Sequence, residues 1–190
     1  TSGGAGAAPA FAASGSIGKH SIYIPAAAMR PSTTNGCADI SDFETTSGRP
    51  DIQCLFFDGS SNEFAHFGMA FPKSWNEGTI TYRVFSAVTN TAATDGTDTV
   101  SWKLAGLGVA DDASIDQAYG TAVAITEATS GTVEDIAISA ESSALTVASA
   151  AINTMTFFAV SRDVAADDMA EDAALIGIQI FITTDTGNDA

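Results

Sequence analysis

The chain has 190 residues, 45% hydrophobic and only 16% charged, with 23 acidic against 7 basic side chains and a formal charge of −16. That length is enough for one sizeable core, and that composition excludes a disordered polyampholyte. The bases are scattered singly, which excludes the positive face that a nucleic-acid binder or a protein docking on an anionic membrane needs, and no run of 18 apolar residues exists to span a bilayer as a helix.

Residues 1–18 (TSGGAGAAPAFAASGSIG) lack the basic start and Leu-rich core of a secretory signal and have little beyond Phe11 and Ile17 to bury. They read as a flexible Gly/Ala-rich arm or linker, with residues 19–190 as a single β-sandwich domain. From His20 onward, short apolar bursts alternate with turn residues. A first strand is expected over 20–24, interrupted by Pro25, followed by a long surface loop over 31–48. Strand 51–57 ends at Asp58-Gly59, a strong turn signal. In 63–71, Ala65, Phe67, Met69 and Phe71 share one face by the two-residue period. After KSWNEG, strand 79–88 groups Ile80, Tyr82, Val84 and Val88. A polar tip over 90–98 then leads to strand 99–109 with Val100, Trp102 and Leu104.

Residues 111–119 are the best helical segment, because acids occupy the first turn, where the helix dipole favours them, and Gly120 stops it. Shorter strands are expected over 122–126, 135–139 and 145–148, and stronger ones over 155–162 and 175–183. Between the last two, 163–172 reads as an acidic loop with room for one helical turn. About ten strands without βαβ alternation specify an all-β chain. The expected form is an antiparallel, jelly-roll-like β-sandwich with one short helix and a flexible N-terminal arm. Its core is expected around Phe56, Phe67, Phe71, Tyr82, Trp102, Phe158 and Phe181.

A search for chemistry finds no catalytic grouping in the text. Only His20 and His66 are present, without a G-x-S-x-G elbow, and His66 falls on the strand face opposite Phe67. Cys54 sits in an apolar strand with no neighbouring histidine, the setting of an inert thiol. With 23 acids, some pair meets the glycosidase separation by chance, so that signal has no specificity. No P-loop, HExxH or complete dinucleotide fingerprint occurs. The expectation is a non-enzymatic protein without a required cofactor.

Three ligand readings stay open. Calcium has two candidate loops, one with Asp95 and Asp98 and one with Asp163, Asp167, Asp168, Glu171 and Asp172. Hard cations take several oxygen ligands, yet neither loop has EF-hand spacing, and a solvated acidic loop is the favoured reading. Trp75, beside Asn76 and Glu77, is either an exposed platform for a glycan or partner, or folds back over the end of the sandwich; the second is favoured. Cys37 and Cys54 either form one bridge across a loop or remain free thiols.

The segments IPAAAMRPSTTNG (24–36), FDGSSNEFAHFGMAFPKSWNEGTITYRVF (57–85) and SRDVAADDMAEDAALIGIQIF (161–181) resemble uncharacterised virion-associated proteins of tailed bacteriophages and prophages. The resemblance implies a jelly-roll-like particle component on the virion surface: a capsid decoration, a head fibre or a tail-fibre tip. It would attach through the arm that carries Phe11 and Ile17 and assemble as a trimer or array. Its partners would be copies of itself, capsid or tail subunits, and a host-surface glycan. Two competing expectations are an extracellular carbohydrate-binding module or receptor-binding domain, and a self-assembling extracellular filament subunit.

Overall fold

Alternating apolar residues become strands almost wherever they occur. The computed structural model describes residues 18–88 and 96–186. Its strands in chain order are β1 (Gly18–Pro25), β2 (Arg30–Pro31), β3 (Ser41–Phe43), β4 (Ile52–Phe57), β5 (Phe64–Ala70), β6 (Thr81–Val88), β7 (Thr99–Val109), β8 (Val123–Ala128), β9 (Ile136–Ile138), β10 (Met155–Arg162) and β11 (Ala173–Thr184). A 3-10 turn at Ala26–Ala28 is the one helical element among the described residues.

Two antiparallel sheets result. The six-stranded sheet runs β3-β4-β11-β6-β9, with β1 also paired to β11; the five-stranded sheet runs β2-β5-β10-β7-β8. β1 and β4 lie end to end along one edge of β11, pairing with 177–184 and 173–175 respectively. Between those stretches the β11 register shifts from Leu175 to Gly177, so Ile176 is an extra, bulged residue. The chain is an all-β, jelly-roll-like antiparallel sandwich.

The core lies between the sheets because one parity of each strand is apolar. Ile178, Ile180 and Ile182 of β11, with Tyr82 and Val84 of β6, share a cluster with Phe67, Trp102, Leu104, Phe158 and Val160 of the opposite sheet. Phe67 and Phe158 stack with ring centroids 5.0 Å apart, and Phe57 meets Trp102 edge-on at 5.1 Å. Each such fully buried side chain contributes about 1.5–3 kcal/mol from removal of apolar surface from water. β7 carries glycine where Phe158 needs space: a Cβ on Gly106 would stand 2.9 Å from the Phe158 ring and from a Val147 methyl.

One charged side chain crosses this interior. Arg162, fully buried at the end of β10, donates to the Phe57 carbonyl of β4 at 3.1 Å and to the Glu171 carbonyl at 2.6 Å, and also to the Met169 carbonyl. Its guanidinium meets Asp167 at 2.8 and 3.2 Å, a two-pronged contact. The planar fork satisfies a carboxylate and three carbonyls at once, which is what lets a charge stay buried. It also ties one sheet to the other.

The structure differs from several sequence expectations. Residues 111–119 are not helical: they form an extended strap with turn bonds only, Ala113 N–H to Ala110 O and Gln117 N–H to Ile115 O, and Asp112 has a φ of 58°. Residues 145–148 make isolated bridges from Leu145 to Ile80 and from Ala148 to Leu107 instead of a strand. The loop over 163–172 has a bend closed by Ala166 N–H on Asp163 O, with no helical turn. The surface loop over 31–48 contains β3 and the end of β2. Phe56 and Phe181 point away from the core and are half-buried, while their neighbours Phe57 and Ile182 fill it. The arm expected over 1–18, with Phe11 and Ile17, lies outside the described residues except for Gly18, which opens β1.

Candidate functional site

The residues singled out in the sequence serve the fold. Trp75 is 2% exposed and stacks on Phe71 with centroids 4.0 Å apart, so its ring offers no platform to a sugar. Asn76 takes the Thr183 carbonyl with its backbone N–H and accepts from Gly78 N–H at 3.0 Å. Glu77 accepts from Ile152 N–H at 2.9 Å. The three residues fasten the β5–β6 connection to its neighbours.

Three carboxylates of the acidic loop are similarly committed. Asp167 is taken by Arg162; Asp163 pairs with Lys103 at 2.5 Å; Asp168 accepts from the backbone N–H and hydroxyl of Thr99 at 2.6 and 2.7 Å. Glu171 gives its backbone carbonyl to Arg162, and Asp172 is exposed. Asp98 holds Thr129 N–H through its carbonyl, and Asp95 lies outside the described residues. Among the described residues no three His, Cys, Asp or Glu side chains gather as a metal site. Cys37 and Cys54 are both free and buried, in separate apolar clusters. Burial pushes the Cys37 thiol up to about 12 and the Cys54 thiol up to about 11, so neither supplies a thiolate near neutrality.

The two outer sheet faces are what remains. On the five-stranded sheet, the pairing puts Phe157, Gly68 and Leu107 in one row and Ala159, His66 and Ala105 in the next. The strap 110–120 lies against this face. Tyr119 stacks on His66 with rings 10° from parallel, its hydroxyl 3.2 Å from His66 Nδ1. Gly120 N–H returns to the Gly106 carbonyl. A small groove of 170 Å³ between Leu107, Ile115, Gln117, Tyr119 and Phe157 remains beneath it. Burial lowers the His66 pKa, and the charge of Arg30 lowers it further.

The outer face of the six-stranded sheet has no such cover among the described residues. Its rows, read across the ladder, are Phe56–Ala174–Ala87–Ile136, then Pro25–Gly177–Phe85–Ile138, then Tyr23–Gln179–Arg83, then Ser21–Phe181–Thr81. Phe43, Cys54, Ala87 and Ala174 form a separate apolar cluster here, with Ile52, Phe56 and Ile176 packed on it. Beyond the cluster, Tyr23 is 48% exposed, Ile136 56% and Ile138 49%. Tyr23 meets Phe85 edge-on at 5.6 Å and lies across Gly177, where a Cβ would come within 2.5 Å of its hydroxyl. Lys19 and Arg83 sit over the Phe181 ring at 5.3 and 5.7 Å, and Lys19 also pairs with Glu141. That pairing and a hydrogen bond from Thr81 hold the Glu141 carboxyl below its usual range. None of the four rows contains a carboxylate, in a chain with 23 acids. This face can bind by stacking and apolar burial. The sequence signal for it was apolar residues at both parities of β1, β6 and β11.

No family model matches the chain, and no curated protein matches its sequence. Among solved structures it is similar to a Paenibacillus sp. cycloisomaltooligosaccharide glucanotransferase complexed with cycloisomaltoheptaose, at 12% identity and a TM-score of 0.40, over 79% of this chain. The match spans only 17% of the glucanotransferase. It is also similar to TmCBM61 in complex with β-1,4-galactotriose, at 11% identity and a TM-score of 0.34, over 87% of this chain and 88% of that one. Likenesses of this degree carry no functional argument.

Proposed function

We propose that the chain is a non-enzymatic structural subunit of a tailed-phage particle. It stands at the virion surface as a capsid decoration, head fibre or fibre tip, is attached through residues 1–18, and assembles with copies of itself. The observation that supports this reading most is the apolar part of the six-stranded sheet's outer face, which the described residues leave uncovered. A monomer gains nothing from exposing Tyr23, Ile136 and Ile138 together, whereas an assembling subunit buries them. The resemblance of 24–36, 57–85 and 161–181 to virion-associated proteins supports the particle context. The test is peptide mass spectrometry of purified particles carrying the full chain or a chain lacking residues 1–18. The full chain is expected to copurify and the truncated one, folded by circular dichroism, to be lost. Equal copurification of both contradicts attachment by the arm, and absence of the full chain contradicts the particle reading.

A second reading, glycan binding, has one specific observation in its favour. Tyr23 is exposed in the same ladder row as Gln179 and Arg83, so an aromatic face stands beside planar hydrogen-bonding groups. A glycan array with wild type and Tyr23→Ala tests it. A signal lost in the variant supports it, and no signal with wild type removes it.

A further inference from the structure

We infer that the outer face of the six-stranded sheet is an interface between copies of this chain, centred on Tyr23, Phe85 and Ile138. The inference deepens the assembling-subunit reading above and rests on it. Size is the first argument. Strands lie about 4.8 Å apart and advance about 3.3 Å per residue, so the 40 residues of β1, β3, β4, β6, β9 and β11 offer a face of roughly 630 Å² before side-chain relief is added. That footprint is of the order of the ~800 Å² of accessible surface that each partner of a stable, specific complex buries.

Charge is the second argument, and it selects the occupant. At −16, two copies repel each other across most approaches. The four rows of this face hold no carboxylate; Arg83 is their one charged member, and Glu141, which reaches Thr81 at the edge, is paired with Lys19. This is therefore an approach on which two acidic copies meet with the one acid at the edge already neutralised. Shape is the third. Ala87 and Ala174 keep one row of the sheet low, Tyr23 lies across Gly177 against Phe85, and Ile136 and Ile138 stand exposed at the β9 edge. Such relief suits face-to-face packing of sheets, where side chains of the two faces interdigitate.

Sedimentation velocity of the full chain over a concentration series tests the inference. Wild type is expected to associate reversibly, and the Ile136→Asp/Ile138→Asp double variant to sediment as a monomer with an unchanged circular dichroism spectrum. The dissociation constant should rise at least about 30-fold, as for loss of an interface hot spot. Ile115→Asp, on the strap over the other sheet, should associate as wild type does. Should the β9 double variant fail to fold, Tyr23→Glu on β1 reads the same contact. Wild type that stays monomeric up to roughly 100 μM, far above the micromolar constants of standard interfaces, overturns the inference. So does a folded face variant that still associates. A monomer that copurifies with particles overturns this inference and leaves the particle reading standing; an oligomer never found in particles does the reverse.

Discussion

The two sheets share one core but differ in what lies outside them. Over the five-stranded sheet the chain supplies its own cover: the strap 110–120 closes on Leu107 and Phe157 and is latched by Tyr119 on His66. Over the six-stranded sheet the described residues supply none, and Tyr23, Ile136 and Ile138 stay in solvent. Each outer face carries apolar residues among small and polar ones, Leu107 and Phe157 on the first and Phe85, Ile136 and Ile138 on the second, because some strands have apolar residues at both parities. The first is partly covered, with Ile115 and Met155 still exposed on it; the second has no cover among the described residues, which puts the candidate site on a sheet surface, where no loop motif announces it.

The largest expected effect tests what the two faces have in common. Arg162 joins β10 of one sheet to the Phe57 carbonyl of the other, so Arg162→Ala should destabilise the whole sandwich by about 3–5 kcal/mol in urea unfolding, leaving Asp167 buried and unpaired. Arg162→Met/Asp167→Leu, which removes both charges, should recover much of that loss. If the single variant unfolds one sheet before the other, the two faces do not share a single cooperative core. A smaller effect distinguishes them. Tyr119→Ala should cost about 1 kcal/mol by removing the ring stack that holds the strap, and should raise dye binding at Phe157. Ile138→Asp, half-exposed on the bare face, should change monomer stability by no more than about 0.5 kcal/mol. Equal costs for these two variants would erase the contrast between a covered and an open face.

The smallest effect is the pH dependence of the latch. Burial holds the folded His66 pKa below its ordinary value of 6.5, with Arg30 adding to the shift, so the fold favours the neutral imidazole. The stability tied to that neutral form is complete above the unfolded value, and it declines as pH falls through the lower folded value. Thermal melts of wild type and His66→Gln at about pH 7.5 and about pH 5 should show the smaller acid loss in the variant. An equal loss in both would mean that the acid response arises elsewhere.

Much of the fold was legible because period-two alternation is local. The phases of β5, β6 and β7 follow from Phe67, Tyr82 and Trp102, and the structure buries all three. Where both parities are apolar, the text cannot choose between them. In Cys-Leu-Phe-Phe the core takes Phe57 and not Phe56, and in Gln-Ile-Phe-Ile it takes Ile180 and Ile182 and not Phe181. The deciding information is the register against β11, which contains a bulge at Ile176 that no local pattern announces. The acids of 111–116 suit a helix start, yet Tyr119 is drawn onto His66, a contact 53 residues distant in sequence. Tertiary packing overrode a weak local preference. The candidate site was missed for a related reason. Charged and aromatic loop residues are the conspicuous features of the sequence, but Asp167, Asp163, Asp168 and Trp75 are taken up within the fold by Arg162, Lys103, Thr99 and Phe71.

The most direct test of the division between a covered and an open face is hydroxyl-radical footprinting of the full chain at low and high protein concentration, read side chain by side chain. The account predicts that labelling of Tyr23, Phe85 and Ile138 falls as concentration rises, while labelling of Ile115, Tyr119 and Phe157 stays constant. Constant labelling of the first set, or concentration-dependent protection confined to the second, would contradict it.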